Sequence, residues 1–211
     1  MSRRRGLWTI GGIIVPVLTL LLAGMVWAAP PGASATGGEP LAKPTMVSHA
    51  HFDGNTIDCL MTNNGAIVDS RVYSSSAMMW PRGTDKFIDY ASGLWLLGIG
   101  HDDGAIYSAS TEYSSELKEG PWPYANSYAD NEAYRIYKIN GDGTGDWDVW
   151  PVDQGAPVDE NGDPLLIGDQ TMWWVCNDAN ETQHSVFLSS PPMDVEVHVM
   201  VFGFNLSLIH I

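Results

Sequence analysis

The sequence predicts an all-β domain with an antiparallel, β-sandwich-like fold, placed behind an export signal and a flexible linker. Short apolar runs recur along the chain, with clusters of Gly, Pro, Asn and Asp between them. No segment keeps a helical period beyond a single turn. Two pairs of runs are joined by Asn-Gly or Asp-Gly, which are the residues of tight hairpin turns. This combination is typical of a sandwich of short strands.

Residues 1–28 are predicted to be a signal peptide. A basic stretch, Arg3–Arg5, precedes an apolar run from Ile10 to Val26, and Val26–Ala28 follows the pattern that a signal peptidase reads. The alternative is an uncleaved membrane anchor, because the run is nearly long enough to span a bilayer. Pro16 and a Gly pair weaken that alternative. We expect bacterial export to the medium or the cell surface, with membrane contact only through an uncleaved signal.

The net charge restricts the class of partner. The whole chain carries a formal charge of −15, from ten basic and 25 acidic residues. Removal of the three signal arginines leaves seven basic residues against 25 acidic ones, a formal charge of −18. Such a surface repels nucleic-acid phosphates, so we expect no nucleic-acid partner. It suits a soluble extracellular domain or one that binds a cation.

Residues 29–45 are predicted to be a flexible linker, since they are mostly Pro, Gly, Ala, Ser and Thr. From residue 46 to residue 205 the composition is that of a globular domain of ordinary size. Asn63–Gly65 predicts a hairpin between two apolar runs, and Asp103-Gly104 predicts a second one. The expected strands are Ile57–Thr62, Ala66–Tyr73, Gly93–Ile99, Ala105–Thr111, Tyr134–Ile139, Thr171–Cys176 and Val195–Phe204.

The last predicted strand has the clearest period of two. Four valines, at positions 195, 197, 199 and 201, alternate with Glu196, His198, Met200 and Phe202. Such a strand is expected to turn into a partner strand. The residues that follow, Leu206–Ile211, match what a transposon end used in preparing sequencing libraries encodes. We therefore interpret them as an adapter artefact and the 46–205 domain as incomplete; the alternative is a natural apolar strand.

Four segments carry a family resemblance. They resemble the N-terminal region of a group of large secreted bacterial proteins, which often end in a sorting domain that carries them to the cell surface. The segments are Ala91–Trp95, Tyr134–Ile139, Trp150–Gln170 and Cys176–Ala179. The resemblance implies a location and an architecture rather than an activity. It also implies further domains of the same polypeptide as partners.

One Gly-rich loop has the composition of a cation site. Carboxylate, amide and hydroxyl oxygens alternate with glycines, which suits the six to eight oxygen ligands of Ca²⁺. The candidate ligands are Asn140, Asp142, Thr144, Asp146 and Asp148. The spacing begins like an EF-hand loop but has Pro151 where that loop needs a Glu. The alternative is a polar hairpin turn. Residues Asp159–Asp163 form a second, weaker candidate, and no other cofactor is expected.

Nine tryptophans are many for a chain of this size. Trp122, Trp147 and Trp150 lie in predicted loops, where their rings are candidates for stacking on sugars. The alternative for these rings is core packing. Trp95, Trp173 and Trp174 lie in predicted strands and are expected in the core.

The remaining chemistry is sparse. Cys59 and Cys176 allow either one disulfide in an oxidising compartment or two buried thiols. No catalytic motif is found, and a glycosidase carboxylate pair is defined by separation in space, which sequence does not give. We therefore predict a non-catalytic extracellular or cell-surface β-domain with a structural, adhesive or ligand-presenting role. The alternative is a carbohydrate-binding module or a fragment of a glycoside hydrolase.

Overall fold

The computed structural model describes residues 49–69, 77–100, 102–112, 116–124, 131–184 and 190–205. All of them belong to one compact unit, Thr45–Ile211. The predicted signal peptide, the linker and the terminal segment 206–211 lie outside the described residues. In the part of the chain that is described, no helix has both the length and the apolar character needed to cross a membrane.

The prediction of an all-β fold is confirmed. The described residues form twelve strands, and the one α-helical segment, α1, is the single turn Glu181–His184. Three-residue 3-10 turns occur at Glu132–Tyr134, Trp147–Val149 and Val152–Gln154. The strands are β1 (His49–Phe52), β2 (Asp58–Thr62), β3 (Ala66–Asp69), β4 (Met78–Met79), β5 (Phe87–Asp89), β6 (Ala91–Gly93), β7 (Trp95–Ile99), β8 (Ile106–Ser110), β9 (Lys118–Glu119), β10 (Tyr137–Asn140), β11 (Gln170–Asn177) and β12 (Glu196–Gly203).

The strands form two larger sheets and two pairs. The first larger sheet has the order β1-β2-β4-β5. In the second, β11 lies between β12 on one side and both β10 and β9 on the other. The pairs are β3–β6 and β7–β8. Every ladder is antiparallel.

Strand β11 is the centre of the packing, because all eight of its residues are buried. One face of β11 packs toward the first larger sheet and the other toward the segment between β10 and β11. The first core contains Phe52, Cys59, Leu60, Met61, Val68, Ala77, Ile136, Met172 and Trp174. The second core contains Tyr137, Ile139, Trp150, Ala156, Trp173 and Val175. The fold is therefore sandwich-like, with a loop layer as a third tier.

The first predicted hairpin differs from the expectation. The turn forms, with Gly65 at φ 87°, but β2 pairs with β1 and β4 while β3 pairs with β6. The turn itself is buried, and the Asn63 amide donates to the Tyr134 carbonyl at 3.0 Å. Thr111 also donates through its hydroxyl to the Gly65 carbonyl at 3.0 Å. Contacts with distant segments thus direct β3 away from the plane of β2.

The second predicted hairpin is confirmed as the pair β7–β8. Its inner face packs on a third core, in which Ala109, Leu117 and Cys176 contact Leu94 and Leu96. Trp95, which was expected in the core, lies on the outer face with Leu97, and both side chains are exposed.

The alternation in β12 is confirmed. This strand pairs with β11 over its whole length, from Asn177 opposite Glu196 to Gln170 opposite Gly203. Val197, Val199 and Val201 pack against the first and third cores. Because β-branched residues favour a half-buried pleated surface, this strand extends the sheet beside β11 with its valines toward the cores.

Candidate functional site

The outer face of the β7–β8 hairpin is apolar and exposed. Leu97, Ile99 and Ile106 retain 77%, 77% and 73% of their accessible surface, and Trp95 retains 47%. Leu97 lies opposite Ser108, and Ile99 lies opposite Ile106. Facing residues of an antiparallel pair share one side of the sheet, so these side chains are neighbours. We call Trp95, Leu97, Ile99 and Ile106 the apolar face.

Strand β7 forms backbone hydrogen bonds with β8 at every second residue. The Thr111 N–H donates to the Leu94 carbonyl at 3.1 Å, and the Gly100 N–H donates to the Ala105 carbonyl at 2.8 Å. In an antiparallel ladder, pairs of facing residues that exchange backbone hydrogen bonds alternate with pairs that do not. Leu97 and Ile99 therefore direct their backbone groups away from β8, toward the outer edge of β7.

The outer edge of β8 is closed by side chains. The Ser108 N–H donates to the Ser190 hydroxyl at 3.0 Å, and the Ser110 N–H donates to a Glu116 carboxylate oxygen at 2.8 Å. Strand β7 has no second partner strand among the described residues. It also lacks the Lys, Pro and bulges with which proteins commonly protect an edge.

Carboxylates lie at both ends of the apolar face. At the tip, Asp103 accepts from the Tyr107 hydroxyl at 2.7 Å and from the Ala105 N–H at 2.9 Å. These two hydrogen bonds hold the pKa of Asp103 below its usual value. At the base, the Trp95 indole N–H donates to a Glu112 oxygen at 2.9 Å. The apolar face is thus bordered by negative charge.

A second feature is a polar groove of about 380 Å³, lined by Asp53, Gly54, Lys138, Asn140, Gly141, Asp142, Asp169 and Gln170. Gln170 forms hydrogen bonds to several of the groove residues. The Gln170 amide nitrogen donates to Asp53 at 2.9 Å and to Asn140 at 2.8 Å. Its amide oxygen accepts from the N–H groups of Asp53 and Gly54 at 2.9 and 3.0 Å. The groove is therefore a bonded network rather than an open cluster of charges.

Asp53 is held in its charged form. Burial alone raises its pKa, but hydrogen bonds from Gln170 and Lys138, with the charges of Lys138 and Arg82, outweigh burial and lower the pKa below its usual value. Lys138 contacts Asp53 at 3.1 Å and donates to the His51 carbonyl at 3.0 Å. The groove therefore carries its own counter-ion.

The predicted calcium loop forms a tight turn after β10. Asp142 accepts from the Thr144 hydroxyl at 2.7 Å and from the Thr144 N–H at 3.0 Å. The Asn140 amide donates to the same hydroxyl at 3.0 Å. Asp146 instead accepts from Arg135 at 2.9 Å and from the Lys138 N–H at 2.8 Å. Asp148 lies in the adjoining 3-10 turn and is exposed.

The second candidate loop is also a hairpin turn. Asp159 accepts from the N–H groups of Asn161 and Asp163 at 2.8 and 3.0 Å, and Val158 bridges Pro164. Across the part of the chain that the structure describes, no group of three or more His, Cys, Asp or Glu side chains is placed to hold a metal ion. The calcium site stays a prediction.

The three loop tryptophans occupy different environments. Trp150 is buried in the second core, where its indole N–H donates to the Pro157 carbonyl at 2.9 Å, which is the core-packing alternative; its candidacy for stacking on sugars is corrected. Trp147 is half-buried against the same core and donates to the carbonyls of Asn140 and Thr144. Trp122 is half-buried, and its backbone N–H donates to Glu196 at 2.8 Å.

Both cysteines are free and buried, which is the second of the two alternatives. Cys59 lies in the first core and Cys176 in the third. A disulfide therefore plays no part in holding the cores together.

Sequence reasoning missed the apolar face and most of the groove. The period-two spacing of Trp95, Leu97 and Ile99 is visible in the sequence, but Leu94 and Leu96 on the alternate positions are also apolar, so the pattern does not show which face is buried. Groove residues Asp53 and Gln170 are 117 positions apart, and no local pattern joins them.

Comparison with known proteins adds no relative: no protein-family model, no curated protein and no solved structure gives a significant match to the chain. The resemblance to large secreted bacterial proteins therefore stays a prediction.

Proposed function

We propose that the chain is a non-catalytic, extracellular or cell-surface β-domain that acts by adhesion to another protein surface. The observation that carries the proposal is the apolar face, with Leu97 and Ile99 each 77% exposed. The extracellular location rests on the predicted signal peptide and on the resemblance described above.

An apolar face on an otherwise acidic chain supports a contact role. Burial of a Leu or Ile side chain contributes about 1.5–3 kcal/mol, so burial of the three Leu and Ile side chains of the apolar face, together with Trp95, would release a large amount of free energy. Contiguous exposed apolar patches commonly mark interaction surfaces. Because the inner face of the same hairpin packs on the third core, the patch is presented on a supported element.

The test displays the exported chain on beads and measures bead retention under flow on a layer of bacterial surface proteins. Leu97→Lys is expected to lower retention about tenfold, because a buried Leu contact is lost. Val152→Lys is the matched control, since Val152 is 51% exposed and lies outside the apolar face. It is expected to leave retention unchanged.

A parallel screen incubates the chain with polysaccharides, peptides and esters. We expect no turnover. Turnover of any of these substrates, or equal retention of the wild type and Leu97→Lys, would contradict an adhesive, non-catalytic role.

A second candidate function, carbohydrate binding, is favoured by the polar groove. Its carboxylate and amide groups supply the acceptors and donors that pair with sugar hydroxyls. A glycan array tests it, with Asp142→Ala as the groove variant. Binding that this substitution abolishes would support the candidate, and an array without hits would remove it.

A further inference from the structure

We infer that the outer edge of β7 accepts an extended segment of another protein as an added strand, and that this segment is apolar in alternate positions and flanked by basic residues. This inference rests on the proposed function and names its partner class. It follows from three observations on the same hairpin: an exposed apolar face, an open backbone edge and a border of carboxylates.

The backbone groups along the outer edge of β7 bind the main chain of the partner segment, which is the first part of the recognition. Leu97 and Ile99 turn their N–H and C=O groups outward, as the bonds from Thr111 to Leu94 and from Gly100 to Ala105 require. A strand that pairs there makes main-chain hydrogen bonds of the kind used in β-augmentation. Main-chain bonds of this kind do not depend on the partner's side chains.

The asymmetry between the two edges supports the choice of β7. On β8, the outward N–H groups of Ser108 and Ser110 already donate to Ser190 and Glu116. These side chains occupy the positions that an added strand would need. Among the described residues, therefore, the hairpin closes one edge and leaves the other for pairing.

The apolar face supplies the second part. An added strand at β7 places alternate side chains on the same side as Leu97 and Ile99. Apolar side chains there cover a surface that is otherwise in water. The intervening side chains lie on the opposite side, so the partner needs apolar residues only at every second position.

Charge supplies the third part and decides against a second copy. In an antiparallel pairing of two β7 strands centred on Leu97, the Asp102-Asp103 tip of one chain lies near the Glu112 base of the other. Like charges at both ends oppose that arrangement. A segment with Lys or Arg on both sides of its apolar core places positive charge against both carboxylate groups.

The experiment uses the full exported chain and a fluorescent peptide, KKVTVTVKK, with binding followed by anisotropy at low salt. Two further peptides keep the same core. One replaces each Lys by Glu, and the other carries N-methyl groups on every core amide. We expect the Glu-flanked peptide to bind about tenfold more weakly because charge complementarity is reversed. The N-methylated peptide should lose about tenfold because the main-chain donors are removed.

Two protein variants complete the design. Leu97→Lys should weaken binding of KKVTVTVKK about tenfold or more, because an apolar contact is lost and a like charge is added. Val152→Lys adds the same charge away from the hairpin and should change affinity less than about twofold. Circular dichroism and thermal melts of both variants establish that each is folded.

Three outcomes would overturn strand addition: equal binding of the N-methylated peptide, equal binding of the Glu-flanked peptide, or a Leu97-dependent dimer in sedimentation that the peptide does not displace. The last would assign the edge to a second copy. If the peptides fail while bead retention still depends on Leu97, strand addition is wrong and the adhesive role stands. If retention is also independent of Leu97, both proposals fail.

Discussion

At the residue scale, burial decides the chemistry of the two thiols. Cys59 is 1% exposed, and burial, with the nearby charges of Asp89 and Asp58, raises its pKa to about 12. Cys176 is fully buried, and burial, with the charge of Glu196, raises its pKa as well. Since the thiolate is the reactive form, both groups are protonated and unreactive near neutral pH.

The corresponding prediction concerns thiol labelling. An aromatic disulfide reagent at about pH 8 should label no cysteine in the native chain, because neither sulfur is accessible or ionised. In denaturant without reductant it should label both cysteines. Labelling of one cysteine in the native state would contradict the packing, and a failure to label after denaturation would reveal a disulfide.

At the element scale, the turn from Asn140 to Asp146 shows how local hydrogen bonds shape a loop. Asn140 donates through its N–H to the Thr144 carbonyl at 3.0 Å, and the Asp146 N–H donates to the Lys138 carbonyl at 2.8 Å. Gly143 and Gly145 adopt φ values of 84° and 105°, which side chains disfavour. The turn is thus an extension of the β10 ladder.

Two glycine substitutions test this geometry. A Cβ at Gly145 would lie 2.2 Å from the Lys138 carbonyl oxygen, whereas a Cβ at Gly143 meets no atom within 4 Å. Gly143→Ala should therefore cost about 1–2 kcal/mol, the ordinary penalty for a left-handed residue. Gly145→Ala should cost clearly more, because the backbone must also shift. Urea unfolding measures both, and equal losses would argue against the described turn.

The same turn carries the calcium prediction. Hydrogen bonds from Thr144 hold the pKa of Asp142 below its usual value, so Asp142 is charged at neutral pH. Asp146 is already engaged by Arg135 at 2.9 Å. We therefore expect weak binding, with a dissociation constant on the order of 10⁻⁴ to 10⁻³ M, as in extracellular modules.

A thermal melt of the full chain in about 5 mM Ca²⁺ and in chelator measures this effect. Weak binding at that concentration stabilises the fold by about 1–2 kcal/mol and raises the melting temperature. Asp142→Asn should abolish the increase, and Asp159→Asn, in the other polar turn, should preserve it. Identical melts, or an increase that survives Asp142→Asn, would exclude the loop.

At the scale of the whole molecule, the polar groove joins the two larger sheets. Asp53 follows β1, whereas Lys138 and Gln170 belong to β10 and β11. The ion pair between Asp53 and Lys138, at 3.1 Å, lies beside the first core that the two sheets share. The interface between the two larger sheets therefore has a polar contact at its edge as well as an apolar interior.

The lowered pKa of Asp53 predicts a pH dependence of stability. A carboxylate with a depressed pKa stabilises the fold above its unfolded value, near 4, and this contribution is lost as pH falls through the folded value. Asp53→Asn should therefore cost up to about 1 kcal/mol at neutral pH, a figure limited by solvent exposure. Wild type and variant should converge in acid.

Urea unfolding at about pH 7 and about pH 2.5 measures the difference. The control Asp148→Asn removes one exposed carboxylate that lies outside the groove. A constant gap between Asp53→Asn and wild type at both pH values would show that packing rather than charge carries the contact.

Sequence pattern alone determined the fold class and the position of most strands. The alternation in β12 and the Asp-Gly turn between β7 and β8 depend on residues close together in the chain, and such signals are readable locally. The acidic charge, and with it the expectation of no nucleic-acid partner, also follows from composition.

Tertiary structure alone decided which strands are partners, which face of β7 is buried and where the polar groove lies. Asn63 is held by Tyr134, which turns β3 away from β2, and Gln170 reaches Asp53 across 117 positions. Trp95, which was expected in the core, is exposed, whereas Trp150, a candidate for stacking on sugars, is buried. These outcomes depend on contacts between residues that are distant in sequence. Such contacts contribute to the free energy of folding only when the sheets have packed together.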